Sequence, residues 1–349
     1  DDNIVIGQSA ALDLTSGENN VIIGKLAAQS ITTATQSVWI GNFSGLQTID
    51  PLVGHENIGI GYKAGFNMQS GGANVLIGNK TGYYLSNDDG NVLVGHRAGE
   101  YQAGGPNVFV GRYAGQGANT SPQSLHNVAV GYNCMAVIEG GDDNVAIGSY
   151  ALNACTTGAN NVAIGRDAGA AIVAGGRNVI IGYSADVSGN NGYENVMGYD
   201  VTSYGNDRTT LGAASNYIYT SHGSDNWAES SDERIKKNIV NATAGLSFIN
   251  DLTPRNFIFK QLGELPTDHP YYEEDNTEYL RKSEGKLQQG FIAQEVKTAL
   301  DNHSEVAEDA EIWHQGADGY QNISKVALVP ILVKAIQELS TELDAAKAR

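Results

Sequence analysis

Hydroxyls, carboxylates and amines crowd together in residues 230–239, which read Ser-Ser-Asp-Glu-Arg-Ile-Lys-Lys-Asn-Ile. A serine hydroxyl is a weak nucleophile until a base takes its proton, and a lysine can act as that base only if its pKa falls well below ~10.4. Burial produces such a fall by penalising the ammonium. Ser231 and Lys236 are five residues apart, which on an α-helix is about 140° around the axis, so they would not face each other there. A working pair needs Ser231 outside the helix proper or Lys236 from a neighbouring chain, and Lys237 offers a second amine. The plainer reading of these residues is a capping box, Ser230-x-x-Glu233, at the start of a helix.

Other candidates for chemistry are thinner. Two cysteines, Cys134 and Cys155, cannot make a disulfide framework or a four-ligand zinc site. The acidic pairs Asp88-Asp89 and Asp142-Asp143 lack the ordered spacing of a calcium loop and read as solvated loop residues. His55, His96 and His126 show no metal-ligand spacing, and His269, His303 and His314 lie in polar stretches with no catalytic role assigned. Gly59-Ile60-Gly61 is not followed by a helical pattern, so a dinucleotide loop is not expected. No metal and no cofactor are expected. Tyr62, Tyr83, Tyr84, Tyr101 and Tyr113 cluster near turns, where packing is the ordinary role and sugar binding the secondary one.

The elements that carry these residues fall into two pieces of unlike composition. Glycine supplies 43 of the 349 residues, yet there is no three-residue glycine period and there are only 7 prolines, which excludes collagen. Residues 1–229 hold 37 of those glycines, with 8 Lys+Arg against 19 Asp+Glu; residues 230–349 hold 13 basic and 20 acidic residues and have ordinary globular composition. The formal net charge of −18 argues against nucleic acid as a partner. The longest apolar candidate, Val326 to Val333, is far short of a membrane span. Asp1-Asp2-Asn3 does not open a signal peptide, so the expectation is a chain cut from something longer or exported by another route.

A pentad Asn-(Val/Ile)-x-(Ile/Val)-Gly recurs through the first piece, closing at Gly7, Gly24, Gly41, Gly61, Gly78, Gly95, Gly111, Gly131, Gly148, Gly165 and Gly182. A shortened copy ends at Gly198 and a degenerate one at Gly212, and seven of the twelve spacings are 17 residues. Each pentad predicts one short strand, with the glycine allowing a tight turn of positive φ. The two branched residues share a face and are expected to stack into a buried Val/Ile column, leaving the middle residue outward. That middle residue is usually apolar too, as in Val5, Ile22, Trp39, Leu76 and Phe109, so both faces need cover. Further copies of the same chain would provide it, which predicts a homotrimer. At the other end, Leu332, Ile336, Leu339, Leu343 and Ala346 follow the 4-3-4-3 spacing of a coiled coil, flanked by Glu338, Glu342 and Lys347. The alternative is one amphipathic helix lying on its own domain.

Over roughly residues 1–214 the pentads resemble the head repeats of trimeric autotransporter adhesins, which are left-handed β-rolls, and similar repeats occur in bacteriophage tail fibres. An adhesin would continue into a stalk and a membrane barrel, and residues 230–349 read as neither. Those residues instead carry Ser230–Ile239, Leu246–Phe257 (Leu-Ser-Phe-Ile-Asn-Asp-Leu-Thr-Pro-Arg-Asn-Phe), Gly290-Phe291-Ile292-Ala293-Gln294-Glu295-Val296 and the helix through Leu328–Leu339. This ordered set is similar to the peptidase S74 domain, the C-terminal intramolecular chaperone of phage tailspikes and tail fibres. The resemblance implies a domain that trimerises, guides folding of the fibre before it, and then cuts itself away with a serine–lysine dyad. On this chain Ser231 matches the motif serine and Lys236 the motif lysine. The scissile bond would be Ser230–Ser231, and Asp232 and Arg234 complete the motif.

The expectation is therefore a mostly β protein. A trimeric left-handed β-roll of about 17-residue repeats would fill residues 1–214, with a linker over 215–230. An α+β chaperone and autoprotease ending in a coiled-coil helix would fill 231–349. Its implied work is host-surface attachment as a phage or phage-like tail fibre, and its implied partners are two further copies, a host glycan or protein receptor, and a particle baseplate or tail reached through a preceding segment. The place implied is the virion or a phage-like extracellular particle, assembled in the host cytoplasm. No external substrate is expected. Alternatives are a bacterial trimeric surface adhesin and a polysaccharide-degrading tailspike; the latter would need a groove of ordered carboxylates that the repeats do not supply.

Overall fold

The computed structural model describes residues 2–47, 54–101, 104–118, 123–190, 192–224, 231, 233–269, 271–280, 285–306, 311–316 and 319–349. The chain divides into two compact units, Asp1–Ser231 and Asp232–Arg349.

The first unit is a β-solenoid of about twelve turns. Each pentad contributes one three-residue strand, from Ile4–Ile6 to Val179–Ile181, and each strand pairs in parallel with the next in a sheet whose order is the chain order. Register is strict: Val145, Val162 and Val179 stand side by side, as do Ala146, Ala163 and Ile180. The shortened and degenerate copies continue the sheet as Asn195–Tyr199 and Arg208–Ala213, with Gly198 opposite Gly212. The eleven closing glycines from Gly7 to Gly182 have φ between +127° and +143°. A Cβ on any of them would lie 2.6–2.8 Å from the carbonyl carbon of the next closing glycine. Both the backbone angle and the close approach of successive turns thus require glycine.

An asparagine ladder runs beside the strands. The Asn144 N–H donates to Asn127 Oδ1 (3.0 Å), its Nδ2 donates to the same oxygen (3.1 Å) and to the Gly158 carbonyl (2.8 Å), and Asn161 repeats the pattern on Asn144. These amides are fully buried. Each one satisfies the backbone of the neighbouring turn, which is why the pentad opens on asparagine.

Burial within the strand is the reverse of the sequence expectation. The middle residue points into the coil: Ile22, Trp39, Leu76, Phe109, Ala163 and Ile180 have no more than 1% exposure. The Val/Ile pair faces outward, with Ile147 at 40%, Ile164 at 38% and Ile181 at 39%. The interior has a limited volume per rung, and the middle residue shares it with other buried side chains: Gly45 and Gly115 lie against the large Trp39 and Phe109, whereas the buried Met135 and Leu152 accompany the small Ala129 and Ala146. Trp39 fills its own rung and the next, so the following middle residue is Gly59, where a Cβ would overlap the Trp39 ring. The outward columns are uniform because branched residues pack on their like across adjacent rungs.

The proposed linker over 215–230 is also corrected in part. Asn216–Ser221 is a strand paired antiparallel with Arg208–Ala213, joined through Ala214 at φ +49°. Its Tyr-Ile-Tyr-Thr run favours extended backbone, although its neighbours are polar. Residues 225–230 lie outside the described residues.

In the second unit three helices, α1 (Leu246–Asp251), α2 (Ala293–Asn302) and α3 (Val329–Lys347), accompany two small antiparallel pairs, Arg255–Phe257 with Gln288–Gly290 and Trp313–Gln315 with Gln321–Ile323. Phe248, Val296, Ala299, Ile312, Leu328 and Ile331 form the core. Helix α3 packs on this core through Ile331 and Ala335, and Glu338 accepts the Leu246 N–H at 2.7 Å. Leu332, Ile336, Leu339 and Leu343 lie on a different stripe and are 42–65% exposed. The helix therefore both lies on its own domain and keeps a second apolar seam uncovered.

Gly59→Ala is expected to destabilise the solenoid by about 1–3 kcal/mol, the usual range for overpacking. Chemical denaturation beside wild type checks this, and Trp39→Leu in the same background should recover part of the loss.

Candidate functional site

Ser231 is exposed and stands at the boundary between the two units. Glu233–Ile235 forms a single 3-10 turn rather than an α-helix, and the Lys236 N–H closes it on the Glu233 carbonyl at 3.0 Å. Ser231 precedes the turn and Lys236 follows it, so the 140° separation of an α-helix does not apply to this pair. Lys236 and Lys237 are both exposed. Ser230 and Asp232 lie outside the described residues, and the capping box expected from Ser230 lies there with them.

The remaining motif segments build the scaffold that follows. The run Leu246–Phe257 supplies α1 with its buried Phe248 and then the strand that begins at Arg255. Arg255 grips Glu295 at the start of α2 with two hydrogen bonds, 2.7 and 3.0 Å long. This forked pair raises the Arg255 pKa and lowers that of Glu295, each through the hydrogen bond to the other. It ties the strand to the helix that the Gly290–Val296 motif opens. Beside it, Arg255, Gln289, Gly290, Phe291 and Lys325 line an open depression of about 420 Å³.

One group that the sequence reading set aside is built into this unit. The His303 side chain is only 8% exposed, and its two ring nitrogens lie 2.6 Å from Glu305 Oε1 and 2.8 Å from Asp251 Oδ2. The Phe248 ring meets it edge-on at 5.5 Å. Hydrogen bonds to Glu305 and then Asp251 raise the His303 pKa, and the same contact lowers that of Glu305. The His303 ring ties the end of α1 to the segment after α2. Only the spacing His303-x-Glu305 was available in sequence; Asp251 is 52 residues away.

Elsewhere the chemistry stays structural. Burial pushes the Cys134 thiol up to about 12 and Cys155 to about 11, which keeps both protonated and unreactive. Among the described residues no group of His, Cys, Asp and Glu could hold a metal ion, and no helix is long and apolar enough to cross a membrane.

Residues 231–305 match the family model of peptidase S74, described as the chaperone of endosialidase. This stretch of the chain is similar to an S74 domain. Its matched segment begins at Ser231, the residue at the unit boundary, and ends at Glu305, the last member of the His303 network. No curated protein and no solved structure matches the chain. A solenoid of about twelve turns followed by an S74 domain fits a tail-fibre or tailspike type protein with a C-terminal chaperone domain, a component of a phage particle.

The His303 network fixes a pH dependence for this unit. A raised folded-state pKa gives stability that is fully present below the unfolded value of ~6.5 and lost as pH rises through the folded value. The thermal midpoint of the S74 unit should therefore exceed that of His303→Gln at pH 5.5, and the gap should narrow towards pH 9. A gap independent of pH would assign the residue to packing alone.

Proposed function

We propose that the chain is a homotrimeric tail-fibre protein for host-surface attachment. Its S74 unit drives trimerisation and folding of the solenoid and then releases itself by cutting Ser230–Ser231. Ser231 is the nucleophile and Lys236 the base. The observation that carries this reading is the coincidence of the S74 match and the compact-unit boundary at Ser231.

Two surfaces support the trimer. The outward Val/Ile columns leave an uncharged apolar strip along the sheet, and the Leu332–Leu343 seam leaves another on α3. Each is longer than the single exposed residues that monomeric surfaces normally carry. Three copies would cover the first strip, and a three-stranded coiled coil the second.

Assembly would also gate the cut. In one chain Lys236 is exposed, and a base of this kind needs its ammonium form disfavoured by burial. Neighbouring copies would supply that burial. The freed amine would then take the Ser231 hydroxyl proton as Oγ attacks the Ser230 carbonyl carbon. The peptide C–N bond breaks, the Ser231 nitrogen takes up a proton, and an ester links Ser230 to Oγ. Water then hydrolyses the ester, leaving residues 1–230 with a carboxylate and 231–349 with a free amine.

Intact mass of the purified chain beside Ser231→Ala and Lys236→Ala tests this reading. Wild type should give two fragments meeting at Ser230–Ser231, and both variants should stay whole. A wild type that stays whole as a trimer would make the S74 unit a permanent clamp and end the protease assignment. Fragments from either variant would move the chemistry to other residues, with Lys237 the first to replace.

A further inference from the structure

The cations of the solenoid are gathered on one corner. Of the eight lysines and arginines before residue 229, six (Lys25, Lys63, Lys80, Arg97, Arg112 and Arg166) fall one or two positions after a closing glycine. Those positions are a small part of each repeat, and only Asp167 and Asp200 among the acidic residues share them. The gathering occurs in a segment where acidic residues outnumber basic ones by more than two to one. Backbone hydrogen bonds keep the corner in register from turn to turn, as from the Lys80 N–H to the Tyr62 carbonyl (2.9 Å) and from Arg97 to Asn79 (2.9 Å).

The same corner is aromatic. Lys63 Nζ lies 4.6 Å from the Phe66 ring centre and 5.6–5.8 Å from Phe43, Tyr62 and Tyr83. Phe66 stacks on Tyr83 at 4.8 Å, and Tyr84 on Tyr101 at 5.2 Å. Further along, Arg112 sits over Tyr113 and Tyr132, and Arg166 over Tyr183. Tyr62, Tyr84, Tyr132 and Tyr183 are each about two-fifths exposed.

Backbone conformation does not explain this choice of residues. The position two after the closing glycine is left-handed at Phe43, Lys63, Lys80, Arg97, Tyr113 and Tyr150, with φ between +55° and +62°. Glycine, asparagine and aspartate are at ease there, whereas bulky side chains cost about 1–3 kcal/mol each. Asn133 and Asp167 show that this solenoid uses the easier residues at the same position. The position also takes Ser9, Leu26 and Ser184, so the backbone leaves the residue type open, and over Phe43–Tyr113 it is filled by basic and aromatic side chains.

We infer that this corner, centred on Lys63, Lys80 and the tyrosines around them, binds an anionic polysaccharide laid along the solenoid axis. The inference rests on the attachment reading and deepens it by naming the receptor chemistry. Lysines and phenol hydroxyls present charge and hydrogen bonds to carboxylate- or sulfate-bearing sugars, at a rung spacing of ~4.8 Å that is comparable to one pyranose unit. The stacked pairs turn their ring faces on each other, which leaves no room for the base stacking that holds single-stranded nucleic acid. Two of the cations face carboxylates, Arg97 with Glu100 at 3.5 Å and Arg166 with Asp167 at 3.2 Å, whereas Lys63 and Lys80 make no ion pair among the described residues.

The test is binding of the full chain to immobilised polygalacturonate (carboxylate) and heparin (sulfate), with dextran and oligo-dT as controls. Wild type should bind at least one acidic polymer, more weakly as salt rises. Lys63→Asn with Lys80→Asn should weaken that binding by on the order of tenfold or more, through loss of two charged donors. Its thermal midpoint should hold or rise, because asparagine relieves the left-handed backbone. Lys63→Arg with Lys80→Arg should keep the binding. The acidic polymer that binds identifies the anion.

Equal binding by the Asn variant, equal binding to dextran or oligo-dT, or no binding to either acidic polymer would overturn the inference. Attachment of labelled wild type to host cells separates the two claims. Cells bound without acidic-polymer binding would refute only this site, whereas cells left unbound would refute the attachment reading.

Discussion

The interior of each solenoid turn has a limited volume, which the middle side chain of the strand shares with buried residues of the rest of the turn, and the remaining organisation follows from that limit. Trp39 occupies so much of it that the next rung carries Gly59, while the smaller Ala129 and Ala146 share the interior with the fully buried Met135 and Leu152. The Val/Ile pair on either side of the middle residue is thereby turned out to water. A single chain can close its turns, satisfy its asparagines and fill its interior, yet it leaves a two-column apolar strip uncovered. Covering that strip is the task that the proposed assembly performs, and a folding domain at the end of such a repeat is the natural device for bringing copies into register before they collapse separately.

The repeat itself was plainly legible. Fixed spacing, a closing glycine and branched residues at alternate positions lead directly to stacked parallel strands, and the structure contains them in strict register. The direction in which each strand faces was not legible from the pentad. Alternation distinguishes two faces but does not say which one is inside. The size variation at the middle position carried that information: a set running from Gly59 to Trp39 belongs to a confined space, whereas a uniform Val/Ile column belongs to a regular surface. The strand Asn216–Ser221 was hidden for a related reason, since polar flanks outweighed a short Tyr-Ile-Tyr-Thr run.

In the S74 unit the sequence motifs marked the scaffold well, because Phe248, Arg255, Glu295 and Ile331 sit in or beside recognisable runs. The His303 network was out of reach because its partner Asp251 lies on another helix, and no local spacing announces a contact across 52 residues. The candidate dyad shows the opposite limit. The residues Ser231 and Lys236 were easy to single out, but the geometry that would make an amine a base depends on burial that one exposed chain does not provide.

The most direct measurement of the central claim is the mass of the purified chain in solution by sedimentation equilibrium, using Ser231→Ala so that all units stay joined. The account predicts three copies per particle with no free single chain at micromolar concentration. A stable, soluble single copy would contradict it, because the Val/Ile strip would then be at rest in water without a partner.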